Sequence, residues 1–164
     1  MDLHTHFQML ARYNRIANER LYESCAQLDD GEYRRQRAGS FGSIHALLNH
    51  TLLADRIWMS RFRHEGRPTP PLSTILYEGF SELRSAREKD DAEIESFFAA
   101  LQPSFFDEIL NYTNNRQKEC EESTSIALSH FFNHQTHHRG QIHVMLSQAH
   151  VQPPALDLFL LIKP

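Results

Sequence analysis

The sequence is poor in cysteine and in long apolar runs, and each shortage excludes a class of protein. Its 164 residues contain 2 cysteines, Cys25 and Cys120, which are too few and too far apart for a disulfide framework. No apolar run approaches the roughly 18 residues of a membrane-spanning helix. The first residues lack the basic and apolar segments of a secretory signal. We therefore expect a single cytoplasmic domain over residues 1–164, with both thiols reduced.

The chain also lacks an excess of positive charge. It has 17 lysines and arginines against 21 aspartates and glutamates, for a formal net charge of −4. Proteins that bind nucleic acid or anionic lipid surfaces usually carry a basic patch or stripe. We therefore expect neither nucleic acid nor a membrane as a partner.

Apolar residues recur at alternating steps of three and four, which predicts amphipathic helices. Ser43 is a suitable N-cap for the second of them. We expect the charged middle of the third helix, residues 84–93, to be exposed to solvent. The four predicted helices cover residues 3–28, 43–64, 73–101 and 123–149.

The pattern changes between the third and fourth helices. Residues 109–113 and 116–120 are short segments that flank Asn114 and Asn115, an arrangement typical of a β-hairpin. The predicted fold class is therefore all-α: a four-helix bundle with a small β-hairpin before the last helix.

Histidines are concentrated in the last predicted helix. The segment "HFFNHQTHHRGQIH", residues 130–143, contains five of the 11 histidines of the chain. His134 and His138 are four residues apart, so they lie on one helical face and can share a metal ion. Apolar neighbours on that face indicate that the pair points into the bundle. His130, one turn earlier, is a candidate for a fourth ligand.

A third ligand is available on the second predicted helix. His50 flanks its apolar stripe, whereas His45 lies farther round the helix and is predicted to be exposed. Catalytic zinc typically has three protein ligands and one open position. Spacing alone leaves open both a metal site and an ordinary set of core or surface histidines.

Three segments together resemble the DinB family of damage-inducible, metal-binding helical-bundle proteins. They are "HQTHHRGQI" (134–142), "LLNHTLLADRIWMSRF" (47–62) and "LARYNRIANERLYE" (10–23). The resemblance implies a bundle that holds a divalent metal, commonly nickel or zinc, on three histidines. His50, His134 and His138 match the positions of those ligands. Related bundles include thiol-dependent S-transferases and a mycothiol-dependent isomerase, and some members are homodimers.

Three functions are compatible with these residues. The first is a metal-dependent transferase that uses a low-molecular-weight thiol, the second a metal-dependent hydrolase, and the third a non-catalytic, stress-associated protein with a structural metal. Asp55, Gln141 and Asn14 are candidates for orienting the ligating imidazoles. Gly140, within the last helix, is expected to mark close helix packing. No catalytic residue beyond the metal ligands is assigned.

Overall fold

Four long helices and one hairpin form the computed structural model, which describes residues 1–162. This architecture confirms the predicted fold class. Within the described residues, no helix combines the length and apolarity needed to cross a bilayer. The elements are α1 (Leu3–Cys25), α2 (Asp30–Arg34), α3 (Ile44–Phe62), α4 (Phe80–Ala100), β1 (Ile109–Thr113), β2 (Glu119–Ser123), α5 (Thr124–Gln148) and α6 (Leu158–Leu161), with a 3₁₀ turn at Pro103–Asp107.

Side-chain caps define where α1 and α3 begin. The Asp2 carboxylate accepts a hydrogen bond from the Thr5 N–H at 2.8 Å. The Ser43 hydroxyl accepts one from the Ala46 N–H at 3.1 Å. Each cap satisfies an N–H that has no partner within its own helix. The predicted N-cap at Ser43 is thus confirmed.

Helix α4 begins at Phe80, so the prediction of a start near Ser73 is wrong. Asn49, which is fully buried on α3, holds the preceding segment in an irregular conformation. Its Oδ1 accepts the N–H groups of Leu76 at 2.9 Å and Tyr77 at 3.0 Å. Because those groups are satisfied by a side chain distant in sequence, the apolar periodicity could not reveal the late start.

The hairpin occurs where it was predicted, but its second strand is displaced. Strand β1 covers residues 109–113 as expected, whereas β2 covers 119–123. Tyr112 pairs with Cys120 across the antiparallel ladder. The Asn114 N–H donates to the Lys118 carbonyl at 2.9 Å, so the turn is longer than the two asparagines alone and shifts β2 along the chain.

Apolar side chains of the long helices form two large clusters, and a third, small one joins α1 to Leu161. Buried polar side chains lie between the two large clusters along each helix. On α4, Arg87 and Asp91 fall between Leu83 of one cluster and Ile94 of the other. The same order recurs on α1, α3 and α5. We call these side chains the polar layer; its members are Asn14, Asn18, Asp55, Arg87, Asp91, Gln135 and Arg139.

The α4 members overturn the expectation that residues 84–93 are solvated. Arg87 is 2% exposed and Asp91 is 3% exposed. The Arg87 guanidinium donates to Asp55 at 2.7 Å and lies 3.0 Å from Asp91. Burial lowers the pKa of Arg87, but Asp91 and Asp55 more than offset this, so its pKa ends above the ordinary value.

Helices α1 and α5 complete the polar layer. The Asn18 amide donates to Asp91 at 3.0 Å. The Arg139 guanidinium donates to Asn18 at 3.2 Å and also to Asn14. Arg87 thus contacts two aspartates inside the bundle, and Arg139 is linked to Asp91 through Asn14 and Asn18. The buried charges compensate each other.

Candidate metal centre

Helices α3 and α5 bring three imidazoles together beside the polar layer. On α5, the Nε2 atoms of His134 and His138 are 3.0 Å apart. The ring of His50, from α3, has its centroid 5.3 Å from that of His134 and 4.8 Å from that of His138. One ring nitrogen of each residue lies within 4.8 Å of the other two. We call this set the histidine cluster.

Hydrogen bonds at Nδ1 define the tautomers of two of these rings. His50 Nδ1 lies 3.0 Å from the Leu72 carbonyl oxygen, and His138 Nδ1 lies 2.7 Å from Gln141 Oε1. Both oxygens can only accept, so each Nδ1 carries the proton and each Nε2 keeps a free lone pair. A bond from the other ring nitrogen to an oxygen acceptor is the usual support for a histidine that ligates a metal.

The surroundings of the cluster keep its rings neutral. Burial, followed by the neighbouring histidines, lowers the pKa of His134 to about 3. Burial also lowers the pKa of His138 to about 4 and that of His50 below its ordinary value. Since a metal ion binds only the deprotonated ring nitrogen, all three residues are in the ligating form at neutral pH.

The donor set fits a divalent transition metal. Imidazole nitrogen suits zinc and nickel. In a tetrahedral zinc site with Zn–N bonds near 2.0–2.1 Å, ligand nitrogens are about 3.3 Å apart. The 3.0 Å separation between the Nε2 atoms of His134 and His138 is close to that value. The three-histidine cluster is therefore compatible with a divalent metal site.

Comparison with known proteins identifies the family. The DinB family model matches residues 1–164. The chain belongs to the DinB family. The curated Protein DinB of Bacillus subtilis (strain 168) is 28% identical to it over 149 residues, which is 85% of this chain and 84% of that protein.

Two solved structures of DinB-like proteins share the fold. One, from Bacillus cereus ATCC 10987, superposes with a TM-score of 0.65 at 18% identity and covers 85% of this chain and 89% of its own. The other, from Bacillus subtilis, has a TM-score of 0.55 at 14% identity and covers 92% and 98%. At these identities the likeness supports the DinB fold and says nothing about ligands.

Phe41 belongs to the site in this DinB-family protein, although sequence reasoning gave it no role. Its ring stacks on His50 with centroids 3.8 Å apart and planes inclined by 23°. Its backbone has φ of 67°, a left-handed conformation that is uncommon for a bulky residue. The only sequence signal was an aromatic residue in a glycine-containing loop. Its apolar ring covers one face of His50 and adds to the burial that keeps the cluster neutral.

The three residues predicted to orient the ligating imidazoles divide between the histidine cluster and the polar layer. Gln141 accepts the Nδ1–H of His138, the contact expected of a residue that orients a ligand. Asp55 instead accepts from Arg87 and Gln135, and Asn14 bonds to Arg139. Asp55 and Asn14 therefore belong to the polar layer rather than to the histidine cluster.

The prediction that His45 is exposed is wrong. It is 6% exposed, and its Nδ1 lies 3.2 Å from the Tyr33 hydroxyl. Tyr33 lies on the short helix α2, which packs against this side of α3. Because the sequence around Asp29 indicates only a helix end and a turn, the cover over His45 was not foreseen.

His130 remains outside the cluster. It is exposed, and its ring centroid is 5.9 Å from that of His134. Within residues 1–162, the grouping of potential metal ligands contains His50, His134 and His138 alone. The side chains that converge thus number three, so a tetrahedral ion held by them would have one position left for a non-protein ligand.

Proposed function

We propose that this DinB-family protein binds one divalent ion, zinc or nickel, through His50, His134 and His138. The observation that carries the proposal is the meeting of three neutral imidazoles from two helices, two of them fixed by Nδ1–H bonds that leave Nε2 free. Histidines that only fill a core do not need to bring three ring nitrogens together. Removing polar groups from water without a partner is costly, and a shared cation provides that partner.

We further propose that the site catalyses transfer of a low-molecular-weight thiol to an electrophile. A bound divalent ion lowers the pKa of a thiol or water at its open position. Of the two cysteines, Cys25 is a poor nucleophile because burial raises the pKa of its thiol to about 12, and Cys120 lies on β2 rather than on a helix that carries the histidine cluster. The reactive sulfur would therefore come from a substrate, while the histidines hold its binding position and Phe41 shields one side.

Metal-dependent hydrolysis is the alternative catalytic function. It needs a general base near the attacking water. Asp55 is the acidic residue of α3 that follows His50 most closely, and it is already bonded to Arg87 and Gln135 in the polar layer. This engagement favours the transferase over the hydrolase. A structural metal is the non-catalytic alternative, and a fourth protein ligand would support it.

Metal binding is tested by elemental analysis of the purified protein. We expect about one divalent ion per chain, and we expect His50→Ala and His134→Ala to lose most of it because each removes one of three ligands. His130→Ala is the matched control, since His130 is an exposed histidine on the same helix as His134. Equal occupancy in all four proteins would show that the ligand assignment is wrong.

The reaction is tested separately on the metal-loaded protein. A chromogenic electrophile mixed with a low-molecular-weight thiol should react faster with the parent than with His134→Ala. Cleavage of a chromogenic ester without any thiol would instead support the hydrolase. Full metal occupancy together with neither activity would leave the structural role as the remaining function.

Assembly and location are further parts of the proposal. Phe159 and Leu160 on α6 are 73% and 44% exposed, and exposed apolar side chains of this size favour burial against another molecule. We propose a homodimer, which light scattering would detect as twice the mass of the chain. We also propose a cytoplasmic location, in keeping with the free thiols of Cys25 and Cys120; cell fractionation tests it.

A further inference from the structure

A pocket runs along α3 beyond the histidine cluster. It has a volume of about 340 Å³ and is walled by one face of α3, by the loop at residues 64–70 and by residues 111–113 of the hairpin. Cavities of a few hundred cubic ångströms suit small organic ligands. The pocket begins at Leu53, one helical turn after His50, and extends to Arg61.

The wall of this pocket is basic. Arg56, Arg61, Arg67 and His64 line it, and its described lining contains no aspartate or glutamate. The whole chain, in contrast, has a formal net charge of −4. A positive group that lines a cavity creates a local potential that attracts an anion where no carboxylate compensates it.

Arg61 differs from the arginines around it. Arg56 forms an ion pair with Asp90 at 2.6 Å, and Arg67 forms one with Glu65 at 2.8 Å. Across residues 1–162, Arg61 takes part in no ion pair and its guanidinium donates no hydrogen bond. Burial lowers the pKa of Arg61, which marks a guanidinium partly removed from water without a carboxylate to compensate it.

Two aromatic rings hold this guanidinium in place. Its carbon atom lies 4.6 Å from the ring centroid of Trp58 and 4.4 Å from that of Tyr112. Cation–π contacts of this kind fix the plane of the group and leave its N–H donors unused. A planar arginine with free donors is suited to a bidentate bond with a carboxylate or phosphate.

Polar side chains next to Arg61 add further hydrogen-bonding groups. Ser60 is 8% exposed, and Thr69 and Asn111 also line the pocket. Hydroxyl and amide groups can donate to the oxygen atoms that a single guanidinium leaves free. The pocket thus combines a fixed cation, neutral donors and the volume for a small molecule.

We propose that this pocket binds the oxyanion group, carboxylate or phosphate, of a small organic ligand, with Arg61 as the principal contact. From His50 to Arg61 the helix advances eleven residues, about 16 Å along its axis. An elongated acid could therefore place its charged end at Arg61 and its other end near the histidine cluster. The role of this acid as a substrate rests on the proposed function. The binding of an anion in the pocket is independent of that function.

Trp58, the only tryptophan of the chain, provides the measurement. Full-length protein treated with chelator is titrated with succinate and, separately, with inorganic phosphate, while its fluorescence is recorded against sodium chloride at equal ionic strength. We expect a saturable change with at least one of the two anions. A response to succinate alone, to phosphate alone or to both identifies the oxyanion; no saturable response to either overturns the proposal.

Variants locate the binding. Arg61→Gln should weaken binding at least about tenfold, because it removes a charge-assisted bond, and Arg61→Lys should bind with an intermediate affinity. Arg63→Gln is the matched control: Arg63 lies two residues farther along and does not line the pocket, so its affinity should remain within about twofold of the parent. Circular dichroism checks that each variant is folded. Equal affinity in Arg61→Gln and the parent contradicts the assignment to Arg61.

His134→Ala separates this inference from the proposed function. We expect it to lose metal and to bind the anion as the parent does. Loss of anion binding in His134→Ala, with binding retained in Arg61→Gln, would place the anion at the histidine cluster and overturn the inference. Normal metal binding without any anion response would reject the pocket and leave the metal proposal intact.

Discussion

The polar layer and the histidine cluster lie side by side on α3 and α5, yet their buried polar groups have different kinds of partner. In the polar layer, Arg87 contacts two carboxylates, and the charges cancel inside the protein. In the histidine cluster, the Nε2 atoms of His134 and His138 face each other at 3.0 Å without an acidic partner. The first arrangement places opposite charges next to each other, whereas the second brings three neutral imidazoles together.

Helix α5 contributes to both regions through adjacent residues. His134 and His138 project toward His50, while Gln135 and Arg139, one position later, project into the polar layer. Successive residues on a helix are separated by about 100°, so a single turn can serve two environments. Burial alone therefore does not identify a functional histidine; the convergence of three imidazoles without an acidic partner does.

The largest effect should come from breaking the polar layer. Arg87→Met leaves Asp55 and Asp91 buried without their shared cation, which should lower the free energy of unfolding by about 3–5 kcal/mol. Arg84→Met is the control on the same helix, because the side chain of Arg84 is 35% exposed and paired with Glu88 at the surface. Urea unfolding in chelator measures both. Similar losses in the two variants would mean that the polar layer does not stabilise the fold.

Two glutamines on α5 allow each region to be weakened separately. Gln141→Ala removes the acceptor of the His138 Nδ1–H and should lower metal affinity about 10- to 100-fold. Gln135→Ala removes a donor to Asp55 and should lower the free energy of unfolding by about 1–3 kcal/mol with little change in metal affinity. Metal titration and urea unfolding of both variants give the result. If each variant changed both quantities equally, the two regions would not be separable.

The two regions should also respond to acid with opposite signs when metal is removed. The pKa values of His134 and His138 are lowered to about 3 and 4. Their contribution to the free energy of unfolding is therefore complete above the pKa of the unfolded state, near 6.5, and declines as the pH falls. Burial raises the pKa of Asp91 to about 6. The contribution of Asp91 to the free energy of unfolding therefore increases as the pH falls from about 6 toward the pKa of the unfolded state, near 3.9.

Stability curves of single variants separate these contributions. Between about pH 6.5 and pH 4, His134→Ala should lose less stability on acidification than the parent, and Asp91→Asn should lose more. Urea unfolding over this range in chelator provides the comparison. Parallel curves for the three proteins would contradict the assigned pKa directions.

The smallest effect is expected at Gly140, which lies outside both regions. A Cβ atom built there meets no atom within 4 Å, so the expectation of close helix packing is wrong. Gly140→Ala should raise the free energy of unfolding by about 1 kcal/mol, through helix propensity alone, and leave metal affinity unchanged. Thermal unfolding and metal titration test both points; destabilisation would point to a contact absent from the structure.

Sequence patterns predicted the bundle because apolar periodicity is a local signal, and the i,i+4 spacing was sufficient to pair His134 with His138. The burial of Arg87 and Asp91 was missed although both continue the stripe of Leu83 and Ile94 at helical spacing. Their charge was taken as a sign of solvent exposure. Arg87 and Asp91 pair with each other on α4, but their further partners Asp55 and Asn18 lie on other helices, and no local pattern reveals those.

The site was predictable only in part for the same reason. His50, His134 and His138 were selected from spacing and resemblance, and Gln141 was one of three candidates for support. Phe41 and the Leu72 carbonyl reach His50 from irregular segments, where no periodicity fixes direction. The pocket at Arg61 depends on Tyr112, which the hairpin brings next to α3, a contact that sequence reasoning did not anticipate.

X-ray absorption at the edge of the metal in the purified protein tests the central claim most directly. The account predicts three imidazole nitrogens at about 2.0–2.1 Å with solvent completing the coordination, and a loss of this signal in His50→Ala. A spectrum that requires sulfur or a fourth imidazole, or one that is unchanged in His50→Ala, would contradict the three-histidine centre.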